Sequence, residues 1–197
     1  MPHEWIKQIR DARQLTVFNK ATTWAVPVAA AIKTFNALSF GVTLVTTERE
    51  EAANIVLVLG MRGGQQYPHD VANYGSVTAS TKPNFDPTGL HGVTHTFRIQ
   101  RSVRGQMSEQ EMFFAGVFLP GKIKKATNGQ KEMVAVHELI HAAGLGEWHD
   151  TEGIMYDFHN IVPGGLLEAR YDDAGSGVKP MPPIRVGGET KRLMRNL

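Results

Sequence analysis

The sequence predicts a single α/β (α+β) domain, with a twisted mixed sheet and two long helices, the second carrying candidate metal ligands. Three observations carry this prediction. Lys131 to Ala143 contains no Gly or Pro and places Met133, Val134, Val136, Leu139 and Ile140 at helical spacing. Trp24 to Leu38 presents a second apolar helical face at Trp24, Val28, Ile32, Phe35 and Leu38. Ile55-Val56-Leu57-Val58-Leu59 is an uninterrupted apolar run of strand length, the kind buried on both faces of a sheet.

Taken in order, residues 1–20 are mixed and indicate no more than a short helix or strand. Thr22-Thr23 can cap the first long helix, and Pro27 is tolerable near its start. Val42 to Thr47 reads as a strand and Glu48 to Glu51 as a turn. Residues 60–96 are rich in Gly, Pro, Asn, Asp and His and read mainly as loop. Thr94 to Ile99 alternates as a strand does, and Phe113 to Leu119 is a further buried strand ended by Pro120-Gly121. Arg98, Arg101 and Arg104 read as solvated charge. Glu109 and Glu111 have no evident partner. Lys122 to Gly129 reads as an exposed loop, and Gly144 ends the second long helix. Beyond residue 162 the chain is Gly- and Pro-rich: Leu166 to Arg170 allows one or two helical turns, 174–188 reads as an irregular linker, and Glu189 to Leu197 as a short terminal helix.

At 197 residues the chain is long enough to bury a core as one domain. The net charge of +2 singles out no partner. Residues 175–197 carry +4 and the rest −2, so the tail is basic, which more often means solvated than bound to nucleic acid; no clear nucleic-acid site is present. The absence of cysteine excludes disulfides and thiolate metal sites, so any metal must use His and carboxylates. No apolar run reaches membrane-spanning length, and Met1-Pro2-His3-Glu4-Trp5 does not open a signal peptide. The expectation is a protein that acts inside a cell, leaves by a signal-independent route, or has lost a signal.

The chemistry concentrates in His137-Glu138-x-x-His141. Residues i and i+4 share a helix face about one turn apart, so two imidazoles can converge on one metal ion. Glu138, offset around the helix, can take a proton from a water that the metal activates. The bland alternative is a surface helix that happens to carry these residues.

The run from Val134 to Tyr156 resembles the zinc signature and Met-turn of the metzincin metallopeptidases. His137, Glu138, His141 and Gly144 match, and Gly153-Ile154-Met155-Tyr156 is similar to the Met-turn of the matrixin type. The resemblance is strong over 131–156, weaker over 20–60 and absent after 163. It implies a metzincin-like domain over 1–162, followed by a basic tail over 163–197. Residues 1–144 would form its upper half, and the chain from 145 onwards a lower and mostly irregular one. The family's third ligand falls at Glu147, whereas the nearest histidine is His149. His149 is favoured, because imidazole suits a tetrahedral zinc and Gly146 eases a longer turn. Glu147 is the alternative, with Asp150 and His159 further choices.

The resemblance implies one catalytic zinc and hydrolysis of extended protein or peptide substrate, with Glu138 as general base. It also implies a substrate-pairing edge strand, at 94–99 or 74–80. Met155 is expected beneath the metal as packing, Tyr156 as structural, and Trp148 as cleft wall or packing anchor. His69, Asp70, His91 and His95 are the right residue types for a second, structural metal, although their spacing is not the matrixin one and solvent-facing loop histidines are the plainer reading. Two other functional classes stay open: a zinc amidase or other non-peptide hydrolase, and a metal-retaining binding module without turnover.

Overall fold

Ile55–Leu59 is the middle strand of a five-stranded sheet in the computed structural model, which describes residues 3–60, 65–71, 75–81, 91–103, 106–121, 126–150, 152–155 and 183–195. In chain order the elements are α1 (Lys7–Ala12), β1 (Gln14–Asn19), α2 (Ala25–Ala37), β2 (Thr43–Thr46), β3 (Ile55–Leu59), β4 (Gln65–Val71), β5 (Gly75–Thr81), β6 (Val93–Val103), β7 (Gln106–Leu119), α3 (Asn128–Ile140) and α4 (Gly188–Arg195). The sheet order is β2-β1-β3-β7-β6. The first four strands are parallel, and β6 closes one edge antiparallel to β7. The protein is therefore a mixed α/β fold with a mostly parallel sheet.

The sheet is buried on both sides. Ile55 and Leu57 of β3 enter the large core beneath the helices, while Val56 and Val58 join Phe114 and Phe118 on the opposite face. That division explains why the run has no polar alternation. On the helical side α2 packs against α3, burying Trp24, Val28, Ile32 and Phe35 with Met133, Val136, Leu139 and Ile140. Thr34 donates to Glu132 across the pair at 2.6 Å. Pro27 sits in the first turn of α2, where its missing N–H removes no helical bond.

Several elements differ from the sequence reading. β1 is a central strand formed by residues 14–19, where only a weak tendency was legible. Leu15 and Val17 supply the core-facing alternation, but six residues with polar ends give a short signal. Residues 65–71 and 75–81 pair as antiparallel strands, β4 and β5, within the stretch read mainly as loop. These two strands form a separate sheet, so of the two segments that could have been the edge of the main sheet it is β6, not β5, that lies there. β6 and β7 are longer than the apolar stretches 94–99 and 113–119, because hydrogen-bonded pairing carries the ladder outward into polar sequence as far as Val103↔Gln106.

Glu111 does have a partner: its carboxylate accepts from Arg10 of α1 at 3.2 Å. The side chain of Glu109 and all of Arg104 and 166–170 lie outside the described residues. α3 begins at Asn128, inside the segment expected to be loop. Its start is a reciprocal cap: Thr127 Oγ1 accepts from the Gln130 N–H, and the Gln130 side chain accepts from the Thr127 N–H at 2.8 Å. Such a cap is worth about 0.5–2 kcal/mol. Ser/Thr-x-x-Gln just ahead of the apolar run was the available signal. Finally, 183–187 is not a free linker. Val186 bridges Gly153, and α4 buries Thr190 and Met194.

Among the described residues no helix is long and apolar enough to cross a membrane.

Candidate metal centre

The centre is built on the last turn of α3 and the chain that doubles back under it. α3 is buried along His137, Glu138, Leu139 and Ile140, and a wide turn continues through His141–Leu145. Gly144 ends it at φ +131° and Gly146 follows at φ +67°, both backbone conformations that favour glycine. The carbonyls that a helix end leaves without partners are met by the N-terminal segment. The buried Trp5 indole donates to Ala143 O at 3.1 Å, and the His3 N–H donates to Gly144 O at 2.7 Å. This anchoring fixes the turn that reaches His149.

His137, His141 and His149 each offer a ring nitrogen, and these atoms lie within 4.8 Å of one another. The ring centroids stand 4.6 Å (His137–His141), 5.5 Å (His137–His149) and 4.8 Å (His141–His149) apart. His137 Nδ1 lies 2.7 Å from Ile154 O, and His141 Nδ1 makes a short contact with Gly146 O. A carbonyl oxygen only accepts, so both Nδ1 atoms carry the proton and both Nε2 atoms present a lone pair. Those two lone pairs face each other at 3.0 Å.

Without a cation between them that contact is repulsive. With metal–nitrogen bonds of ~2.0–2.1 Å in tetrahedral geometry, two ligand nitrogens stand about 3.3 Å apart. The three-histidine cluster could therefore hold a metal ion, and the donor set fits one. Carbonyls that fix the tautomer from behind are the usual support of metal-binding histidines.

The other candidates fall elsewhere. Glu147 is exposed and outside the cluster. Asp150 is buried, and its carboxylate accepts from the Thr190 N–H and hydroxyl. Trp148 packs on the main core. Met155 is fully buried in that core, and its carbonyl accepts from the Asp150 N–H at 2.7 Å. Tyr156 and His159 lie outside the described residues, as do the side chains of His69 and Asp70. His91 and His95 join no metal-competent cluster among the described residues. The His95 ring packs edge-on against Phe118, and burial lowers its pKa.

Glu138 is 4% exposed and pressed against the start of β6. Thr94 Oγ1 donates to its carboxylate at 2.7 Å and lies 3.1 Å from its backbone oxygen. Gly92 is in contact with the same side chain: a Cβ there would lie 2.5 Å from Glu138 Cγ and 2.9 Å from Cδ. Neither residue was singled out in the sequence. A glycine two residues before a threonine on an edge strand has no pattern of its own; the crossing of β6 over α3 gives it meaning. Gly92→Ala is expected to displace the carboxylate while leaving the histidines in place. Bound metal per chain should stay at the wild-type value, and hydrolytic turnover, where measured, should fall about 10²-fold, the scale of an ångström misplacement.

Burial sets the protonation. Desolvation raises the Glu138 pKa from 4.5 to about 7, partly opposed by the Thr94 hydrogen bond. Desolvation, then the neighbouring His137 and His149, hold His141 well below 6.5. The signs oppose in the metal-free protein. For His141 the unfolded chain binds the extra proton, so its contribution is complete above about pH 6.5 and lost as pH falls. For Glu138 the native state binds the extra proton, so its contribution is complete below 4.5 and lost as pH rises through about 7. Metal-free Glu138→Gln should therefore be more stable than metal-free wild type in mildly alkaline solution, by up to about 3 kcal/mol from 1.36 kcal/mol per unit. Urea denaturation in the presence of a chelator measures this, and equal midpoints would refute it.

Comparison with protein-family models and with curated protein sequences gives no match for this chain.

Proposed function

We propose that the chain is a zinc-dependent endopeptidase of the metzincin type, with Glu138 as its general base. The observation that carries the reading is the convergence of His137, His141 and His149 beside a buried carboxylate on the same helix turn. Three neutral imidazoles suit zinc better than metals that prefer six oxygen ligands. Bound there, zinc would lower the pKa of a water towards neutrality and polarise a substrate carbonyl.

The protein's own groups do the rest. Glu138 takes the proton as water attacks and delivers it to the leaving amine. Thr94 holds one carboxylate oxygen, leaving the other to act. Gly92, having no Cβ, leaves the space that the Glu138 side chain occupies against the start of β6. The antiparallel strand β6, which contributes Thr94 and is the edge of the sheet among the described residues, suits pairing with an extended peptide. The mixed sheet, the two long helices and the buried Met155 agree with the architecture that the motif resemblance implies.

Zinc stoichiometry combined with cleavage of an unstructured protein such as casein tests the reading. One zinc per chain with chelator-sensitive cleavage supports it. Zinc with no peptide cleavage, but hydrolysis of small amides, would move it to the amidase class. Zinc without any turnover would leave a binding module.

A further inference from the structure

Of the three clustered histidines, His149 is the one that no helix holds, yet its surroundings are tied down by the C-terminal segment. Asp150, its neighbour, is 6% exposed. Its carboxylate accepts from the Thr190 N–H at 2.9 Å and from Thr190 Oγ1 at 2.7 Å, both at the start of α4. Gly187 closes against this carboxylate so tightly that a Cβ would lie 2.3 Å from Oδ2. The Gly188 N–H donates to Glu152 at 3.1 Å.

The same segment reaches a second histidine through Ile154. The Ile154 N–H donates to Arg185 O at 2.8 Å, while the Ile154 carbonyl accepts from His137 Nδ1 at 2.7 Å. Gly153, at φ +72°, bridges Val186, and a Cβ there would meet Arg185 O at 2.8 Å. Residues 185–190 thus brace the backbone beside one candidate ligand and the carbonyl that orients another.

We infer that Asp150 and Thr190 are positioning residues for the metal centre, and that the C-terminal segment is a clasp which preorganises His149 and His137. The inference rests on the metal-binding reading of the three histidines. A helix cap at a remote site would add stability only. Here the capped carboxylate is adjacent in sequence to a ligand, so a loosened clasp frees the ligand's backbone, and the ordering cost is transferred to metal binding.

The test uses the full chain and zinc alone. Zinc affinity is measured at neutral pH by competition with a chromophoric chelator, alongside thermal melting of the metal-free protein. Asp150→Ala is expected to weaken zinc binding by about 10–100-fold, the range for lost support behind metal ligands. Thr190→Val, which keeps the backbone N–H bond, should weaken it less, and Thr190→Ser should restore it. Should Asp150→Ala fail to fold, the Thr190 pair decides the matter. Wild-type zinc affinity in folded variants, whatever their melting temperature, would overturn the inference by reducing Asp150 to a helix cap. Absence of zinc binding by the wild type would instead overturn the metal reading, and the clasp with it.

Discussion

Glu138→Ala is expected to lose hydrolysis by two or more orders of magnitude while retaining one zinc per chain. The magnitude is that of a lost general base, about 10²–10⁴-fold. Retention of zinc follows from the placement of Glu138. It is not among the three clustered nitrogens, and its carboxylate is engaged by Thr94 of β6. Truncation also removes a buried ionisable group whose folded pKa is raised to about 7, so the substitution should not unfold the chain. Zinc per chain, melting temperature and casein cleavage by the same purified variant give the answer. Retained cleavage would show that another group acts as base. Zinc lost together with activity would show that Glu138 supports the histidines and not the reaction alone.

What was legible in the sequence follows from how local each feature is. α2 and α3 declare themselves by periodicity, and β3 by an apolar run too short for a helix. His137 and His141 are legible because helical spacing alone places them on one face. His149 could be named only as a competitor of Glu147, since the path of a loop depends on contacts distant in sequence. The contacts that place it come from His3, Trp5 and the 185–190 segment. The same reason hides Gly92, Thr94, Asp150 and Thr190. Each acts through a neighbour at least 36 residues away, as the Gly188–Glu152 bond of the same clasp does. β1 was legible only as a weak helix-or-strand tendency, because a central parallel strand of six residues draws its stability from β2 and β3, not from its own composition. Glu111 acquires a partner only when the segment leading into α1 pairs with Met112 of β7.

His149→Ala is expected to strip the metal, whereas Glu147→Ala should not. The His149 ring is within ligand distance of the other two histidines, and Glu147 is exposed and outside that group. Electrostatics point the same way. Three neutral imidazoles leave a zinc dication its full charge, which best acidifies a water, whereas a carboxylate ligand would offset part of it. Removing a ligand should weaken affinity by more than the roughly 10–100-fold assigned to supporting contacts. The pH response adds a second readout. Protons compete with the metal for the imidazole nitrogens, and burial holds the pKa of His141 well below its ordinary value of 6.5. Zinc should therefore be held at neutral pH and released on acidification below about 6, with a steep dependence because several protons enter as one metal leaves. Histidine substitution should weaken binding at every pH, while Glu147→Ala should leave the release curve where it is. A release curve that shifts on Glu147→Ala and not on His149→Ala would assign the third ligand to the carboxylate and require the loop after Gly146 to follow a different path.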